Sequence, residues 1–362
     1  MKLTLKIKLL PTNEQTRSLI GTIREANAAC NAISEIAWEN KAFNQFKVHR
    51  LAYYNIKSTF NLTAQVIVRC IGKVTEAYKI DRKVKRTFKE LGGIAYDSRI
   101  LSYKPNDIVS IWSIAGRLKI PFVCHNRKYL PYIKGEADLV YKKGKFFLMQ
   151  TVDVPDEDIK DVEEFIGVDM GLIDIATTSN GQSFNSKQLQ EYREKRQKVR
   201  SSIQSKCTKG SKKLLKRLSG KERTHGTIIN HTISKKIVEL AKSEQKGISI
   251  EDLKNIRFSA NKKGKKFRSK VGKWSFYQLR QFLFYKCQLS GIPLIVVPPA
   301  FTSKICSTCF NIGNRNGKIF TCNNCNSVFD ADYNAAKNIA LLAVPINEPG
   351  KSALYCSIAL HR

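Results

Sequence analysis

Four cysteines near the C-terminal end restrict the fold of this chain more than any other feature. They form two pairs, Cys306-Ser-Thr-Cys309 and Cys322-Asn-Asn-Cys325, with twelve residues between the pairs. Two residues between paired cysteines let both thiolates point at one ion, and four thiolates complete a tetrahedral Zn²⁺ site. The spacing therefore predicts one structural zinc ion bound by Cys306, Cys309, Cys322 and Cys325. Two disulfides or a redox-active pair are the alternative interpretations of the same spacing.

The net charge of the chain indicates the class of its partner. The 362 residues include 63 Lys and Arg but only 30 Asp and Glu, which gives a formal charge of +33. A surface this cationic repels itself unless a polyanion lies close, so we expect nucleic acid as the partner. A membrane-surface or ribosomal protein is the alternative. We expect no membrane partner, because the sequence lacks an apolar run of spanning length and a signal-peptide pattern at its start.

The hydrophobic pattern predicts a β unit with a helical insertion. Residues 3–9 alternate apolar and polar side chains, as in a half-buried strand. Apolar residues then recur at three- and four-residue steps up to about residue 90, which favours helices. Short alternating runs broken by Gly and Pro follow from about residue 95 to residue 154 and predict a small antiparallel β unit that the first strand could join.

Three acidic residues lie at the ends of predicted elements in the second half of the chain. Asp169 ends a strand that begins at Phe165, Glu251 ends a strand that begins at Gly247, and Asp332 opens a helix after the cysteine pairs. Carboxylates at adjoining strand ends can hold two Mg²⁺ or Mn²⁺ ions, which prefer oxygen ligands. Taken singly, each acid could instead be a helix cap or a surface residue.

Two basic runs flank these acids. Residues 187–224 contain 14 basic and 3 acidic residues, and residues 254–273 contain 9 basic and no acidic residues. Such runs predict a groove for a phosphate backbone, with a solvated protein face as the alternative. The nucleic-acid contacts that we predict in the second run are Arg257, Lys262, Lys263, Lys265, Lys266 and Arg268.

Four motifs carry a resemblance to a known family. IGVDMG (166–171), ISIEDL (248–253), TSKICSTC (302–309) and DADYNAAKNIA (330–340) occur in this order, and KIKLLPTNEQ stands near the start. Together they resemble the TnpB (OrfB) family, the transposon-encoded RNA-guided DNA endonucleases related to the type V CRISPR nucleases. The resemblance covers essentially the whole chain.

The resemblance implies a multidomain α/β protein. Residues 161–300 and 327–343 would form a RuvC-like (ribonuclease H-type) nuclease domain, and residues 301–326 its zinc-ribbon, target-nucleic-acid-binding insertion. Residues 1–11 and 91–160 would form a wedge-like β-barrel, residues 12–90 an inserted helical recognition domain, and residues 344–362 a C-terminal tail.

The resemblance also implies a function. The chain would be an RNA-guided DNA endonuclease of an insertion sequence, which binds a transposon-derived guide RNA and cuts double-stranded DNA beside a short target-adjacent motif. Asp169, Glu251 and Asp332 would be catalytic and hold two Mg²⁺ (or Mn²⁺) ions, with Asp332 preferred over Asp330 because the second acid of DADYNAA is the family's position. A nuclease-silent repressor and a transposase accessory protein are the alternatives. We expect a monomer in the cytoplasm of a prokaryotic cell, associated with the nucleoid.

A polar stripe is the candidate reader of the target-adjacent motif. On a predicted helix spanning residues 62–78, Gln65, Arg69 and Lys73 lie four residues apart and so share one face. Gln and Arg side chains can read base edges of duplex DNA. A solvated helix face is the alternative.

Residues 301–326, called the cysteine unit below, depart from the family's pattern at two positions. Family members usually carry Gly after the second and fourth cysteines, where this chain has Phe310 and Asn326. Each cysteine pair with its two intervening residues forms a knuckle, and the residue after a knuckle requires a left-handed backbone conformation. Asn adopts this conformation, whereas Phe does so poorly. We therefore expect Phe310 to weaken the zinc site.

Overall fold

The computed structural model describes residues 1–253, 264, 268 and 275–347. The chain forms two compact units, of which the first is Met1–Pro155 and the second begins at Asp156. Within the described residues, no helix combines the length and the apolar character that crossing a membrane requires.

Three helices make up the helical part of the first unit: α1 (Asn13–Glu39), α2 (Gln45–Thr59) and α3 (Ala64–Ile80). Helix α1 begins with a capping box, in which the Thr12 hydroxyl accepts from the Gln15 backbone N–H and the Gln15 amide oxygen accepts from the Thr12 backbone N–H. The apolar residues spaced three and four apart in α1 and α3 are buried. The predicted helical block is therefore confirmed as far as Ile80, whereas residues 81–90 are not helical. Side chains of α1 hydrogen-bond to the backbone of that segment instead, from Ser34 to Arg86 and from Asn31 to Phe88.

Seven strands form the sheet of the first unit. They are β1 (Lys2–Leu9), β2 (Ile94–Tyr96), β3 (Leu101–Lys104), β4 (Ile108–Ser113), β5 (Gly116–Cys124), β6 (Ile133–Lys142) and β7 (Lys145–Asp153). A 3₁₀ helix, Arg127–Tyr132, precedes β6. The strand order is β2-β6-β7-β1-β5-β4-β3, and every pairing is antiparallel. The first strand therefore joins the later β unit, as predicted, and the helices lie between β1 and β2 along the chain.

This sheet curls into a nearly closed barrel. Strands β2 and β3 are its two edges, yet only residues 97–100 connect them. A flat sheet of seven strands would place its edges roughly 29 Å apart, whereas so short a connection reaches at most about 18 Å. The Tyr96 hydroxyl of β2 also donates to the Trp112 carbonyl of β4 at 3.0 Å. The short connection therefore requires the curvature.

The second unit is built on a five-stranded mixed sheet. Its strands are β8 (Phe165–Asp169), β9 (Asp174–Thr178), β10 (Ser183–Asn185), β11 (Gly247–Glu251) and β12 (Leu294–Val297). The order is β10-β9-β8-β11-β12, in which β8, β11 and β12 run parallel and β9 and β10 antiparallel to their neighbours. The predicted strands that end in Asp169 and Glu251 are confirmed, and they are direct neighbours.

Helices cover both faces of this sheet. They are α4 (Lys187–Ser205), α5 (Lys209–Leu218), α6 (Lys221–Ser243), α7 (Phe276–Gln288) and α8 (Ala331–Asn347). Ile166, Val168, Ile248 and Ile250 pack with α6 and α7, whereas Phe165 and Val297 pack with Ile339 and Ala343 of α8. The sheet thus lies between α6 and α7 on one side and α8 on the other.

Two features of the C-terminal part complete the second unit. Strands β13 (Gly313–Asn316), β14 (Ile319–Cys322) and β15 (Val328–Asp330) form a small antiparallel sheet that contains part of the cysteine unit. Helix α8 then continues to Asn347, so residues 344–347 are helical where the pattern indicated a tail. Val344 packs against the apolar cluster of Val162 and Phe165, which extends the helix past the predicted end.

Helix α8 lies directly on strand β8 at Gly167. A Cβ atom on Gly167 would lie 1.9 Å from the Ala336 carbonyl oxygen and 2.5 Å from the Ala340 nitrogen, both in the backbone of α8. On the neighbouring strand, the Ser249 hydroxyl donates to the Ile339 carbonyl at 3.1 Å. Gly167, the first glycine of the IGVDMG motif, is therefore required because the helix backbone passes so close to it.

We expect Gly167→Ala to destabilise the second unit by about 3 kcal/mol or more, because the helix backbone cannot yield as a flexible side chain can. Urea unfolding measures the effect. Gly226→Ala is the matched control: Gly226 lies in α6 with no atom within 4 Å of an added Cβ, so alanine should stabilise by up to about 1 kcal/mol. Unchanged unfolding of Gly167→Ala would contradict the required close approach.

Candidate functional site

The fold places three carboxylates at one edge of the second sheet. Asp169 ends β8 and Glu251 ends β11, and because these strands are adjacent and parallel their carboxyl ends meet. Gly167 and Ser249, two residues earlier on each strand, contact α8. Alternation along a strand puts Asp169 and Glu251 on the same face as those contacts. Asp332, in the first turn of α8, completes the group.

Burial and the other two acids raise the pKa of the Asp169 carboxyl group. Burial, and then the charges of Glu251 and Asp332, raise the pKa of Asp169 from its ordinary value of 3.8 to about 7. Burial also raises the pKa of Glu251. Carboxylates that disfavour one another's charge in this way are stabilised by a cation, and an all-oxygen donor set suits a hard divalent ion.

The geometry of the acids is looser than that of a closed metal cage. Among the described residues, only the cysteine cluster brings three or more acidic, histidine or cysteine ligand atoms within 4.8 Å of one another. The oxygens of Asp169, Glu251 and Asp332 do not all come that close. The three predicted acids are thus neighbours that do not form a closed metal cage. Their catalytic and metal-binding roles stay predictions.

Neighbouring side chains hold two of the acids. The Thr302 hydroxyl, which is buried, donates to a Glu251 carboxylate oxygen and lowers the pKa that burial raises. The Arg315 guanidinium donates to Asp332 Oδ1 at 2.6 Å, and the Lys318 ammonium lies 3.4 Å from Asp332 Oδ2. Lys318 also pairs with Asp174, a buried acid at the start of β9.

These four residues, Thr302, Asp174, Arg315 and Lys318, were not among the predicted site residues. Thr302 lies in the TSKICSTC motif, so its place in that motif was the available signal. Asp174 lies five residues after Asp169 and had no motif of its own. The contacts of Arg315 and Lys318 depend on how the cysteine unit folds back on α8, which spacing does not show.

Asp330 and Asp332 have different environments. Asp330 is exposed, and its Oδ1 accepts from the backbone N–H groups of Asp332 and Tyr333 at 3.0 Å each. That is the pattern of a helix N-cap at the start of α8. Asp332 is buried beside the other acids. The choice of Asp332 as the third site acid is consistent with this geometry.

The four cysteines form a cluster that fits a zinc ribbon. All four sulfurs lie within 4.8 Å of one another, with 3.7 Å between the sulfurs of Cys306 and Cys325 and 3.4 Å between those of Cys309 and Cys322. Tetrahedral zinc with Zn–S bonds near 2.3 Å needs sulfurs about 3.8 Å apart. A hydrogen bond from the Asn311 backbone lowers the pKa of Cys309 to about 6, which favours the thiolate that binds metal.

The residue that follows each cysteine pair adopts the left-handed backbone conformation. The φ angles are 61° for Phe310 and 55° for Asn326. Both positions therefore need the conformation that glycine adopts most easily, and Phe310 adopts it against its own preference. Phe310 is the residue that the sequence indicated as a weak point of the cysteine unit.

Two asparagines of α8 tie the cysteine unit to this helix. Asn334 donates to the Ile305 carbonyl at 2.7 Å and accepts from the Ser307 backbone N–H at 2.9 Å. Asn338, one turn later, donates to the carbonyls of Thr302 and Ile305 at 2.8 and 2.7 Å. The DADYNAAKNIA motif thus presents an acid to the site and two amides to the first knuckle.

The polar stripe on α3 is engaged within the first unit. Gln65 donates to Asp97, Arg69 pairs with Glu136, and Lys73 donates to Asn27 Oδ1 at 2.7 Å and to the Gly93 carbonyl at 2.8 Å. Its role in reading DNA stays a prediction. Of the second basic run, Arg268 is described and exposed, whereas the other predicted contacts, Arg257, Lys262, Lys263, Lys265 and Lys266, lie outside the described residues.

Helix α2 carries an aromatic and basic face that the sequence reasoning missed. Phe46 and Tyr54 are 84% and 79% exposed. His49 stacks on Tyr53 with ring centroids 4.7 Å apart, and the Lys57 ammonium lies 5.9 Å from the same ring. Exposed rings beside cations are the side chains that stack on nucleic-acid bases. Their spacing along α2 was the available signal.

Comparison with known proteins agrees with this geometry. Residues 276–339, which include α7, β12, the cysteine unit and the first half of α8, match the family model for the Cas12f1-like TNB domain. A TnpB-like protein of Methanocaldococcus jannaschii is 36% identical over 151 residues, which are 41% of this chain and 54% of that protein. The resemblance to TnpB and its Cas12f relatives is confirmed.

Two further relatives extend the comparison. The CRISPR-associated endodeoxyribonuclease Cas12f1 of Sulfoacidibacillus thermotolerans is 32% identical over 221 residues, which are 55% of this chain and 51% of that protein. The chain thus spans about half the length of the curated relatives it matches. A Cas12f1 solved in complex with sgRNA and target DNA shares the fold, with a TM-score of 0.61 at 16% identity over 91% of this chain and 83% of that one.

We expect the purified, reduced protein to contain about one zinc ion per chain. Cys309→Ser should release it, because three thiolates hold zinc less well than four and the ion closes so small a unit. Metal analysis by mass spectrometry measures the content. Cys207→Ser, at an exposed cysteine outside the cluster, should keep the zinc. Reduced wild-type protein without zinc would contradict the site.

In zinc-loaded protein free of other divalent ions, we expect the stability contributed by the protonated Asp169 carboxyl to be lost as the pH rises from about 4 to about 7. Across that window the unfolded chain gives up the Asp169 proton while the folded chain keeps it, since its folded pKa is about 7 against an ordinary 3.8. Asp169→Asn removes this loss. Melting temperatures measured against pH should therefore fall less steeply for the variant, and parallel curves would contradict the raised pKa.

Proposed function

We propose that this chain is an RNA-guided DNA endonuclease of an insertion sequence. It binds a guide RNA derived from the transposon end and cuts double-stranded DNA beside a short target-adjacent motif. The observation that carries the proposal is the convergence of Asp169, Glu251 and Asp332 at the ends of β8, β11 and the start of α8. Curated relatives that match about half of the chain are named endonucleases, which supports the activity.

The domain assignment forms part of the proposal. The second unit, with its five-stranded mixed sheet covered by helices on both faces, is a RuvC-like (ribonuclease H-type) nuclease domain. The cysteine unit is its target-nucleic-acid-binding insertion. In the first unit, the nearly closed barrel is the wedge domain and helices α1 to α3 are the recognition domain. The order of these elements along the chain, with helices between β1 and β2, supports the assignment.

The three acids would hold two Mg²⁺ or Mn²⁺ ions. Such ions activate water and stabilise the leaving oxygen of a phosphodiester. The donor set fits, because the site offers only carboxylate oxygens from these acids, and their burial together raises the pKa of Asp169 to about 7 in the absence of a cation. The four cysteines, whose soft thiolates suit zinc, are kept apart from this oxygen site.

The chain's own side chains prepare the acids for this task. The Thr302 hydroxyl fixes the orientation of the Glu251 carboxylate. Gly167 lets α8 approach close enough to bring Asp332 to the strand ends. Asn334 and Asn338 anchor the first knuckle, so that Thr302 is held by the same helix that carries Asp332. Each contact positions an acid without itself reacting.

Sequence specificity would come from guide pairing, while the protein contacts backbone and shape. The exposed aromatic and basic face of α2 supports base stacking in the first unit. Helices α4 and α5 carry most of the basic run of residues 187–224. These cations support contacts to phosphates in the second unit.

Paired cleavage and gel-shift assays with guide RNA, Mg²⁺ and a target with its flanking motif test the proposal. We expect Asp169→Ala and Asp332→Ala to bind target DNA as wild type but to cut neither strand, because one acidic constellation serves both cuts. Affinity should persist because guide pairing and many phosphate contacts supply it.

Asp330→Asn is the matched control for these variants. It removes an acidic charge two residues from Asp332 but keeps an oxygen that can accept the α8 cap hydrogen bonds. It should retain substantial cleavage. Normal cutting of either strand by Asp169→Ala would falsify the single-site mechanism, and wild-type protein that binds its target without cutting would instead identify a nuclease-silent repressor.

A further inference from the structure

Two cations of the cysteine unit occupy the acidic site. Arg315 and Lys318 lie on the hairpin of β13 and β14, whose closing pair is Asn316 with Ile319. Arg315 contacts Asp332 Oδ1 at 2.6 Å, and Lys318 lies 3.4 Å from Asp332 Oδ2. Both oxygens of this carboxylate therefore have a positively charged partner from the same hairpin.

The hairpin extends the neutralisation beyond Asp332. Lys318 also pairs with Asp174, which is as buried as Asp332. The Arg315 charge also opposes the rise in pKa that burial causes at Asp169 and Glu251. Two cations thus act on four acids from four different elements, which is the role that bound divalent ions would otherwise have.

The backbone keeps the hairpin in this place. The Lys318 carbonyl accepts from the Ala331 N–H at 2.8 Å, immediately before Asp332. The pairing of β14 with β15 continues the same connection, with Ile319 opposite Asp330. The tip of the hairpin and the start of α8 therefore form one local structure. These backbone contacts place the two cations beside Asp332.

We propose that Arg315 and Lys318 are built-in counter-ions that neutralise the acidic site in the ion-free protein and compete with divalent cations for Asp332. The inference rests on the proposed metal site of the nuclease. A divalent ion and the two side chains need the same carboxylate oxygens, so an ion that binds Asp332 displaces contacts that already stabilise it. The hairpin thereby sets a lower divalent-ion affinity than the acids alone would have.

The burial of the partners allows such an exchange. The Asp332 and Asp174 side chains are only 10% and 9% exposed, whereas Arg315 and Lys318 are 35% and 41% exposed. The long cationic side chains can turn into solvent without moving the backbone, but the acids cannot. The acids are therefore the fixed part of the site, and the cations are the exchangeable part.

Mn²⁺ binding to the full, zinc-loaded chain without nucleic acid tests the inference, with free Mn²⁺ counted by electron paramagnetic resonance. We expect Arg315→Gln/Lys318→Gln to bind Mn²⁺ about fivefold to tenfold more tightly than wild type, given the strength of partly exposed ion pairs. Without Mn²⁺ the variant should melt at a lower temperature than wild type near neutral pH, and Mn²⁺ should raise that temperature by a larger amount.

Three further variants make the outcomes separable. Lys304→Gln removes an exposed charge from the cysteine unit that does not pair with the acids, and Arg315→Lys keeps the charge at position 315. Both should bind Mn²⁺ nearly as wild type. Asp332→Asn should remove the binding altogether. Zinc content confirms that each variant is folded, and the single Arg315→Gln variant replaces the double one if zinc is lost.

Each result decides a different statement. Equal Mn²⁺ affinity of wild type and the double variant, with binding that still depends on Asp332, would overturn the counter-ion inference and leave the proposed metal site standing. Absence of Asp332-dependent binding in both proteins would overturn the metal site itself. Tighter binding by Lys304→Gln to the same extent would show a general effect of charge and also overturn the inference.

Discussion

The acidic site depends on one close approach between a helix and a strand. Helix α8 can bring Asp332 to the ends of β8 and β11 only because residue 167 has no side chain where the helix backbone passes. The Ser249 hydroxyl then binds a carbonyl of the same helix from the next strand. Two parallel strands and one helix start thus meet at one edge, where burial and like charge raise the pKa of Asp169. The position of the three acids and the raised pKa of Asp169 both follow from this packing.

Helix α8 also makes the cysteine unit part of the acidic site. Its amides at Asn334 and Asn338 bind the backbone of the first knuckle, and the segment before that knuckle supplies Thr302 to Glu251. The hairpin between the cysteine pairs returns Arg315 to Asp332. The segment before the first cysteine pair and the hairpin between the two pairs therefore both connect the cysteine unit to the acids. Its stability and the arrangement of the acids are therefore physically coupled.

The sequence predicted the parts of this arrangement that depend on local pattern. Strand periodicity placed Asp169 and Glu251 at strand ends, and cysteine spacing predicted a cluster that the structure forms. What it could not predict depends on contacts between distant segments. Helical spacing put Gln65 on one face with its neighbours, yet did not show that strands and loops of the same unit would engage that face. Nothing in the sequence pattern distinguished Arg315 from the other cations of the chain, because only the folded hairpin shows its acidic partner.

The two sets of donor atoms in this region suit different kinds of metal. Soft thiolates select zinc and leave no open position, whereas the acids offer hard oxygens that suit Mg²⁺ or Mn²⁺. A chain of net charge +33 has many cations that can pair with its acids. Arg315 and Lys318 do this on a hairpin whose backbone is fixed and whose side chains remain free to turn. Under the counter-ion proposal, the basic composition that suits nucleic acid would also set how tightly the acids hold an ion.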